Sequence, residues 1–340
     1  MNRLPRRAVL PLNDCAVLGD DVVNRFEFQG VVGRGTYGTV FKVISKSTKQ
    51  VRAVKENNIG KAGEGFTRDA VREVALLKEL NHPNILSPST AVISLSKMYL
   101  EFDFAEYDLA AVVRYFFKSG AVPLPVVKFV MRQVLHGLQH MHSKHIMHRD
   151  LKPDNILIVS SKTPPVVKIA DFGMARMFSD PPAPLHFDGT VCTIWYRAPE
   201  LFLGAMDYTA AVDMWSAGCI LVELLAADAV FKGNEEKENG LYINQLYAII
   251  SRIGLPSSCA SCSLRTFPKW EKFWTACGHM RACSPLHEWL ASRGCSLDAQ
   301  AAHLIQQMLD WDPSTRISAS AALQHPFLDQ SGQAKDGARM

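Results

Sequence analysis

The segment "HRDLKPDN", residues 148–155, decides how this chain is read. It sets His148, Arg149, Asp150, Lys152, Asp154 and Asn155 side by side. An apolar helical stretch precedes it, and the apolar strand "ILIV", 156–159, follows. Ionisable groups packed this densely between buried elements cost free energy unless they are used. Just downstream, "VKIADFGMAR", 167–176, runs a strand into Asp171, Phe172 and Gly173. A carboxylate at a strand end beside a glycine suits Mg2+, because a hard cation takes oxygen ligands.

Upstream, residues 22–57 alternate apolar and polar positions with glycine punctuation and read as three strands joined by tight turns. Within them "VGRGTYGTV", 32–40, carries glycines at 33, 35 and 38. A dinucleotide fold needs a helix after such glycines, and none follows. A glycine-rich hairpin can instead lie over phosphates, since no Cβ blocks the backbone's approach. "AVK", 53–55, then places Lys55 mid-strand among apolar residues. A snorkelling surface lysine is the ordinary alternative. Residues 67–80 have helical spacing, with Ala70, Val71, Val74 and Leu77 on one face, and "HPN" at 82–84 ends the helix. Glu73 lies in its middle, so a Lys55–Glu73 ion pair would hold the ammonium against nucleotide phosphates. "KMYLEFDFA", 97–105, reads as another buried strand.

From about residue 109 the pattern changes to long apolar-periodic helices, at 125–143, 207–227, 241–253 and 300–310. The chain thus reads as a small sheet-rich lobe and a larger helical one, hinged near 103–108. "GNEEKENG", 233–240, is a charged surface insertion.

Bulk composition excludes several classes. The 340 residues are 48% hydrophobic and 21% charged, an ordinary globular balance. A net charge of +4 without a basic stripe argues against direct nucleic-acid binding. No apolar run has the length of a membrane helix. "MNRLPRRAVLPLND" is too proline-broken for a secretory signal and reads as a flexible tail. The eight cysteines then read as reduced thiols. Cys259, Cys262, Cys277 and Cys283 are spaced too widely in their second pair for zinc, so they read as loop and core thiols.

Taken in order, "GRGTYGTV", "AVK", "HRDLKPDN", "DFG", "APE" and "DMWSAGC" resemble the eukaryotic protein kinase superfamily across residues 26–328. The resemblance implies an α+β, bilobal kinase fold. A small β-rich N-lobe would span 23–104 and a large α-helical C-lobe 105–328, with flexible tails at 1–22 and 329–340. It implies ATP and Mg2+ as substrate and cofactor. Val32, Gly33, Arg34, Gly35, Thr36, Tyr37, Gly38, Thr39 and Val40 would cover the nucleotide. Val40, Ala53 and Leu157 would sandwich adenine, with Phe102 behind it and the backbone of Asp103 and Ala105 on its edge. Asp108 joins the nucleotide contacts. Lys55 and Glu73 would position phosphates, and Asn155 and Asp171 would hold the metal. Asp150 would accept the substrate hydroxyl's proton, Lys152 would face the transferred phosphoryl, and Thr193 joins this catalytic set. Glu200 and Arg316 match a buried ion pair, and Asp213 matches the brace of the catalytic loop.

"WYRAPE" and "TRDAVRE" resemble the cyclin-dependent kinase group, in which Arg197 implies a substrate proline after the target Ser or Thr. Members carry a phosphorylatable threonine seven residues before the tryptophan; here that position, counted from Trp195, is Asp188. Arg72, Arg149 and Arg176 would converge on it. A phosphate of about −2 would order the loop through charge-assisted hydrogen bonds, and a carboxylate supplies about half that charge. Asp188 is therefore expected to be a built-in substitute for phosphorylation, with Thr190 as the competing switch.

"FDFAEYDL", "APELFLGAMDYTAAVDMWSAGCI" and "FKGNEEKENGLYINQLYAIISRIGLP" resemble the Mediator-associated, cyclin C-dependent branch. That implies a nuclear kinase with a C-type cyclin on the 67–80 helix. It also implies Mediator kinase-module partners and substrates such as the RNA polymerase II C-terminal repeat. A cell-cycle-type kinase is the alternative, and it would carry a phosphorylatable residue at 188. A pseudokinase scaffold would lack Lys55, Asp150, Asn155 or Asp171, all of which are present.

Overall fold

A computed structural model describes residues 6–10, 20–35, 38–58, 68–94, 97–119, 121–179, 194–256 and 263–329. The chain forms two compact units. One comprises residues up to Val112 together with Asp154–Ala175, and the other Val113–Pro153 together with the residues from Arg176 onward.

The first unit opens with helix α1 (Asp20–Arg25), where the sequence reading began a strand. Strands β1 (Phe26–Gly35), β2 (Gly38–Ser45) and β3 (Val51–Asn58) then run antiparallel. Helix α2 (Arg68–Glu79) follows, then β4 (Thr90–Ser94) and β5 (Lys97–Asp103). The sheet order is β1-β2-β3-β5-β4, and the β4 edge strand escaped the sequence reading.

Period-two alternation explains the sheet. Phe41 and Val43 of β2 are buried with Val54 and Tyr99 in one cluster, while Met98, Leu100 and Phe102 form another. Ala53 of β3 packs on that second cluster. Register brings Val40 opposite Lys55, and Ala53 opposite Phe102. Gly38 has φ 141°, and a Cβ there would lie 1.8 Å from the Glu56 carbonyl oxygen, so only glycine lets β2 start this close to β3. Helix α2 buries Glu73, Leu76 and Leu77 and packs on the turn at Phe172–Met174.

The first unit also holds β6 (Tyr107–Asp108), the start of helix α3 (Leu109–Phe116), β8 (Ile156–Val159) and β9 (Val166–Ile169). These strands form a sheet in the order β6-β8-β9. Lobe boundaries drawn from sequence put everything after 104 in the second lobe. Residues 154–175 group instead with the first unit, because main-chain bonds fasten β9 to the segment after α2. Leu86 N–H donates to the Ile169 carbonyl at 2.8 Å, and Ile169 N–H donates to the Asn84 carbonyl at 2.9 Å.

Residues 6–10 also depart from the expected loose tail. Leu10 pairs antiparallel with Val31 of β1, its N–H and carbonyl bonding those of Val31 at 2.8 and 2.9 Å.

The second unit is built on α4 (Leu124–Ser143), begun after Pro123, and on α6 (Ala211–Ala226). Helix α6 is buried almost throughout, including Trp215 and Cys219. Between them lie β7 (Ile146–Met147), which pairs with β10 (Arg176–Met177), and helix α5 (Pro199–Phe202). Helices α7 (Ile243–Ile253), α8 (Trp270–Cys277), α9 (Leu286–Ser292), α10 (Ala299–Met308) and α11 (Ala319–Leu323) complete it. Gly218 lets α6 approach α10 closely; a Cβ there would meet Met308 Cβ at 2.9 Å. Cys277 is buried and Cys283 exposed, while Cys259 and Cys262 lie outside the described residues. No described helix is long and apolar enough to cross a membrane.

Candidate active site

In the first unit, a cavity of about 240 Å3 gathers most of the residues expected to meet nucleotide. Gly33, Arg34, Gly38, Val40, Ala53, Phe102, Asp103, Ala105 and Leu157 line it. Lys55, Glu73, Asn155 and Asp171 line the same space. Val32 and Thr39 sit in β1 and β2 without lining it, and Gly35 ends β1. Thr36 and Tyr37 lie outside the described residues. Sequence reading missed Leu77, Leu86, Ala170 and Phe172 in the wall. Only folding, which brings α2 and the β9 end to the sheet, reveals them.

The cavity's charge arrangement follows from two register choices. Lys55 points off β3 and donates from Nζ to Glu73 Oε1 at 2.7 Å, and it stands 3.5 Å from Asp171 Oδ1. Burial pulls the Lys55 ammonium down, but the carboxylates of Glu73 and Asp171 outweigh it and hold the group above its ordinary value. Lys55 therefore stays cationic, and its share of stability is lost only as pH rises through that elevated range.

Asp171 sits in left-handed backbone, φ 65°, a strained conformation of the kind stored at functional sites. Its Oδ1 is buried and meets no hydrogen-bond donor in proper geometry among the described residues. A buried carboxylate oxygen left this way is suited to a hard cation, with Asn155 in the same wall. Ala170 N–H fixes the Asn155 main chain by donating to its carbonyl at 2.9 Å. The residues present fit Mg2+.

Asp108 meets the cavity indirectly. Its Oδ1 accepts from Ala111 N–H at 2.7 Å, capping α3, and its Oδ2 pairs with Arg7 Nε at 3.5 Å. Arg7 itself lines the cavity, a position with no signal in the sequence. Burial lowers its basicity, opposed by the charges of Asp108 and Asp154.

In the second unit, the loop from His148 to Pro153 carries Asp150, whose Oδ2 accepts from Lys152 Nζ at 2.8 Å. The loop is held from α6. Asp213 Oδ2 accepts from His148 N–H at 2.8 Å and Oδ1 from Arg149 N–H at 2.9 Å. His142 Nε2 lies 3.0 Å from the same Oδ2. Burial alone would raise the Asp213 carboxyl. The bond and charge of His142, with the charge of His148 and the Arg149 N–H, outweigh it and hold the group below the usual carboxylate range. Its contribution is therefore present above that range and lost only as pH falls beneath it. Arg149 adopts φ 68° and donates from Nη1 to the Tyr208 hydroxyl at 2.6 Å.

Arg197 is buried, its guanidinium 5.5 Å from the Phe202 ring and 5.8 Å from the Tyr242 ring. Glu200 and Arg316 form the expected pair, with Arg316 donating from Nη1 and Nη2 at 2.7 and 2.9 Å. Of the activation-loop set, Arg72 belongs to the first unit and Arg149 and Arg176 to the second. Asp188, Thr190 and Thr193 lie outside the described residues. The 233–240 insertion is anchored at Gly233, which accepts from Trp195 Nε1 at 2.8 Å, and its remaining residues are exposed. A larger cavity of about 650 Å3 in the second unit, walled by Leu255, Pro256 and Trp311, carries none of this chemistry.

Comparison with known proteins matches residues 26–328 to the protein kinase domain. The chain is 37% identical to cell division control protein 2 homolog 3 of Trypanosoma brucei brucei, over 92% of this chain and 94% of that protein. It is 38% identical to a probable cyclin-dependent kinase 8 of Dictyostelium discoideum, covering 91% and 82%. Against the serine/threonine-protein kinase SSN3 of Yarrowia lipolytica it is 36% identical, covering 91% and 78%. Cavity, loop and sequence relationships agree, and the chain belongs to the protein kinase family, in its cyclin-dependent serine/threonine branch.

Proposed function

We propose that this chain is a Mediator-type cyclin-dependent kinase that phosphorylates Ser or Thr followed by proline in nuclear proteins, with a C-type cyclin bound on α2. The observation that carries the reading is the Lys55–Glu73 pair at 2.7 Å, in a cavity that also holds Asn155 and Asp171. Lys55 grips the α- and β-phosphates, and Glu73 fixes where its ammonium points. Val40, Ala53 and Leu157 supply the apolar walls for adenine. Bound through Asn155 and Asp171, Mg2+ supplies charge neutralisation on the phosphates. Asp150 orients the substrate hydroxyl and takes its proton at the carboxylate. Lys152 faces the transferred phosphoryl. Such transfer needs little covalent chemistry from the protein, so position and charge carry the rate.

Glu73 must face inward for this geometry, and α2 is a single amphipathic helix. A cyclin on α2 biases it toward the inward pose. Asp188 replaces the phosphothreonine that would otherwise order the loop, working through Arg72, Arg149 and Arg176. The relatives' names include a cell division control type as well as cyclin-dependent kinase 8 and SSN3; the carboxylate at 188 in place of a threonine favours the latter pair.

The test is a kinase assay of the chain with and without a C-type cyclin, using wild type and Asp188→Ala. Cyclin raises kcat at least about tenfold, and Asp188→Ala removes most of that gain. Equal activity without cyclin contradicts the cyclin requirement, and an unaltered Asp188→Ala contradicts the built-in charge.

A further inference from the structure

One residue of the segment before the kinase domain, Arg7, lines the cavity read as the nucleotide site. Leu10 adds an antiparallel pairing to the outer edge of β1 through both of its main-chain groups. Arg7 N–H donates to the Glu106 carbonyl at 2.9 Å, next to the Asp103–Ala105 backbone expected to meet the purine edge. The guanidinium forms part of the cavity wall and pairs with Asp108. The chain is shaped to accept this segment. Gly30 has φ 154°, and a Cβ there would lie 2.4 Å from the Leu10 carbonyl oxygen and 2.6 Å from Val9 Cγ1. Any other residue at 30 would strike residues 9 and 10.

With Arg7 in its wall the cavity measures about 240 Å3, below the roughly 300–1,000 Å3 of sites that enclose a small molecule. Both carboxylate oxygens of Asp108 are engaged, one capping α3 and the other facing Arg7.

We propose that residues 6–10 are a built-in strap that closes the nucleotide cavity, with Arg7 occupying the Asp108 subsite that ATP needs. The inference rests on the nucleotide reading of this cavity. ATP binding then requires the strap to leave, so apparent affinity is reduced by the fraction of molecules in which it is open. A partner that pulls the N-terminal segment off β1 would activate the kinase by raising nucleotide affinity.

Isothermal titration of ATP in Mg2+ tests this on the full chain, its Arg7→Ala and Leu10→Pro variants, and a form lacking residues 1–10. Arg7→Ala removes the plug. Leu10→Pro removes the N–H that bonds Val31 without touching the cavity. Each is expected to tighten ATP binding about tenfold, the gain for a strap closed in nine molecules of ten. Affinity within about twofold of wild type, or weaker, overturns the strap; weaker binding would make Arg7 a nucleotide ligand instead. Failure of every form, wild type included, to bind ATP overturns the nucleotide reading and the strap with it.

Discussion

Replacing Asp150 by asparagine lowers kcat by about a thousandfold, within the range for loss of a positioned general base, while the Kd for ATP barely changes. The separation follows from where the group sits. Asp150 belongs to the loop held by Asp213 in the second unit and is absent from the lining of the nucleotide cavity. An asparagine keeps the side chain's size and can still accept from Lys152 Nζ, which donates to Oδ2 at 2.8 Å in the native chain. What it loses is the basic oxygen proposed to orient and deprotonate the substrate hydroxyl. Steady-state kinetics with ATP titration separates the two parameters. A variant that keeps more than about a tenth of native kcat would move the base elsewhere.

Cutting the Glu200–Arg316 pair is the largest stability effect expected. The two side chains are 1% and 0% exposed and meet through two parallel hydrogen bonds. Arg316 also donates from Nη1 to the Ala211 carbonyl at 2.8 Å and from Nε to the Asp310 carbonyl at 2.9 Å. It thereby joins the α5 helix, the start of α6 and the loop after α10. Arg316→Ala leaves Glu200 as an uncompensated buried charge, at a cost of about 3–5 kcal/mol. For a chain of this size that lowers Tm by about 4–7 °C. The double variant Glu200→Leu with Arg316→Met is expected to be less destabilised than the single one, because apolar groups fill the space without a stranded charge. Differential scanning calorimetry reads both. Both variants lose the carbonyl bonds of Arg316, so a double variant worse than Arg316→Ala would mean that the stranded Glu200 charge is not what costs stability.

The parts of the site that were legible in the sequence are those whose chemistry demands particular residue types. Lys55 in an apolar strand, Glu73 mid-helix and the charged 148–155 loop stand out because ionisable groups are otherwise rare in such settings. The long helices were legible for the same kind of reason: α4, α6, α7 and α10 have enough turns to show a periodicity, and their ends fall within a few residues of those expected. Helices α8 and α9, of 8 and 7 residues, have too few turns to show one. The grouping of 154–175 with the sheet was hidden because it depends on main-chain bonds between Ile169 and both Leu86 and Asn84, which leave no mark in the choice of side chains. Arg7 was hidden for a similar reason. Its place depends on strand pairing at Leu10 and on the space left by Gly30, and a basic residue in a proline-broken N-terminus carries no mark of either.

Lys55, Glu73, Asn155 and Asp171 line one cavity and are proposed to hold a metal-bound nucleotide for transfer to a protein hydroxyl. The most direct measurement gives the chain, with a C-type cyclin, γ-labelled ATP, Mg2+ and paired peptides carrying Ser-Pro or Ser-Ala. Label is expected on serine in the Ser-Pro peptide, with loss of that label on Lys55→Met and little label on the Ser-Ala peptide. Absence of label on any peptide or protein, with the cyclin bound, would contradict that role.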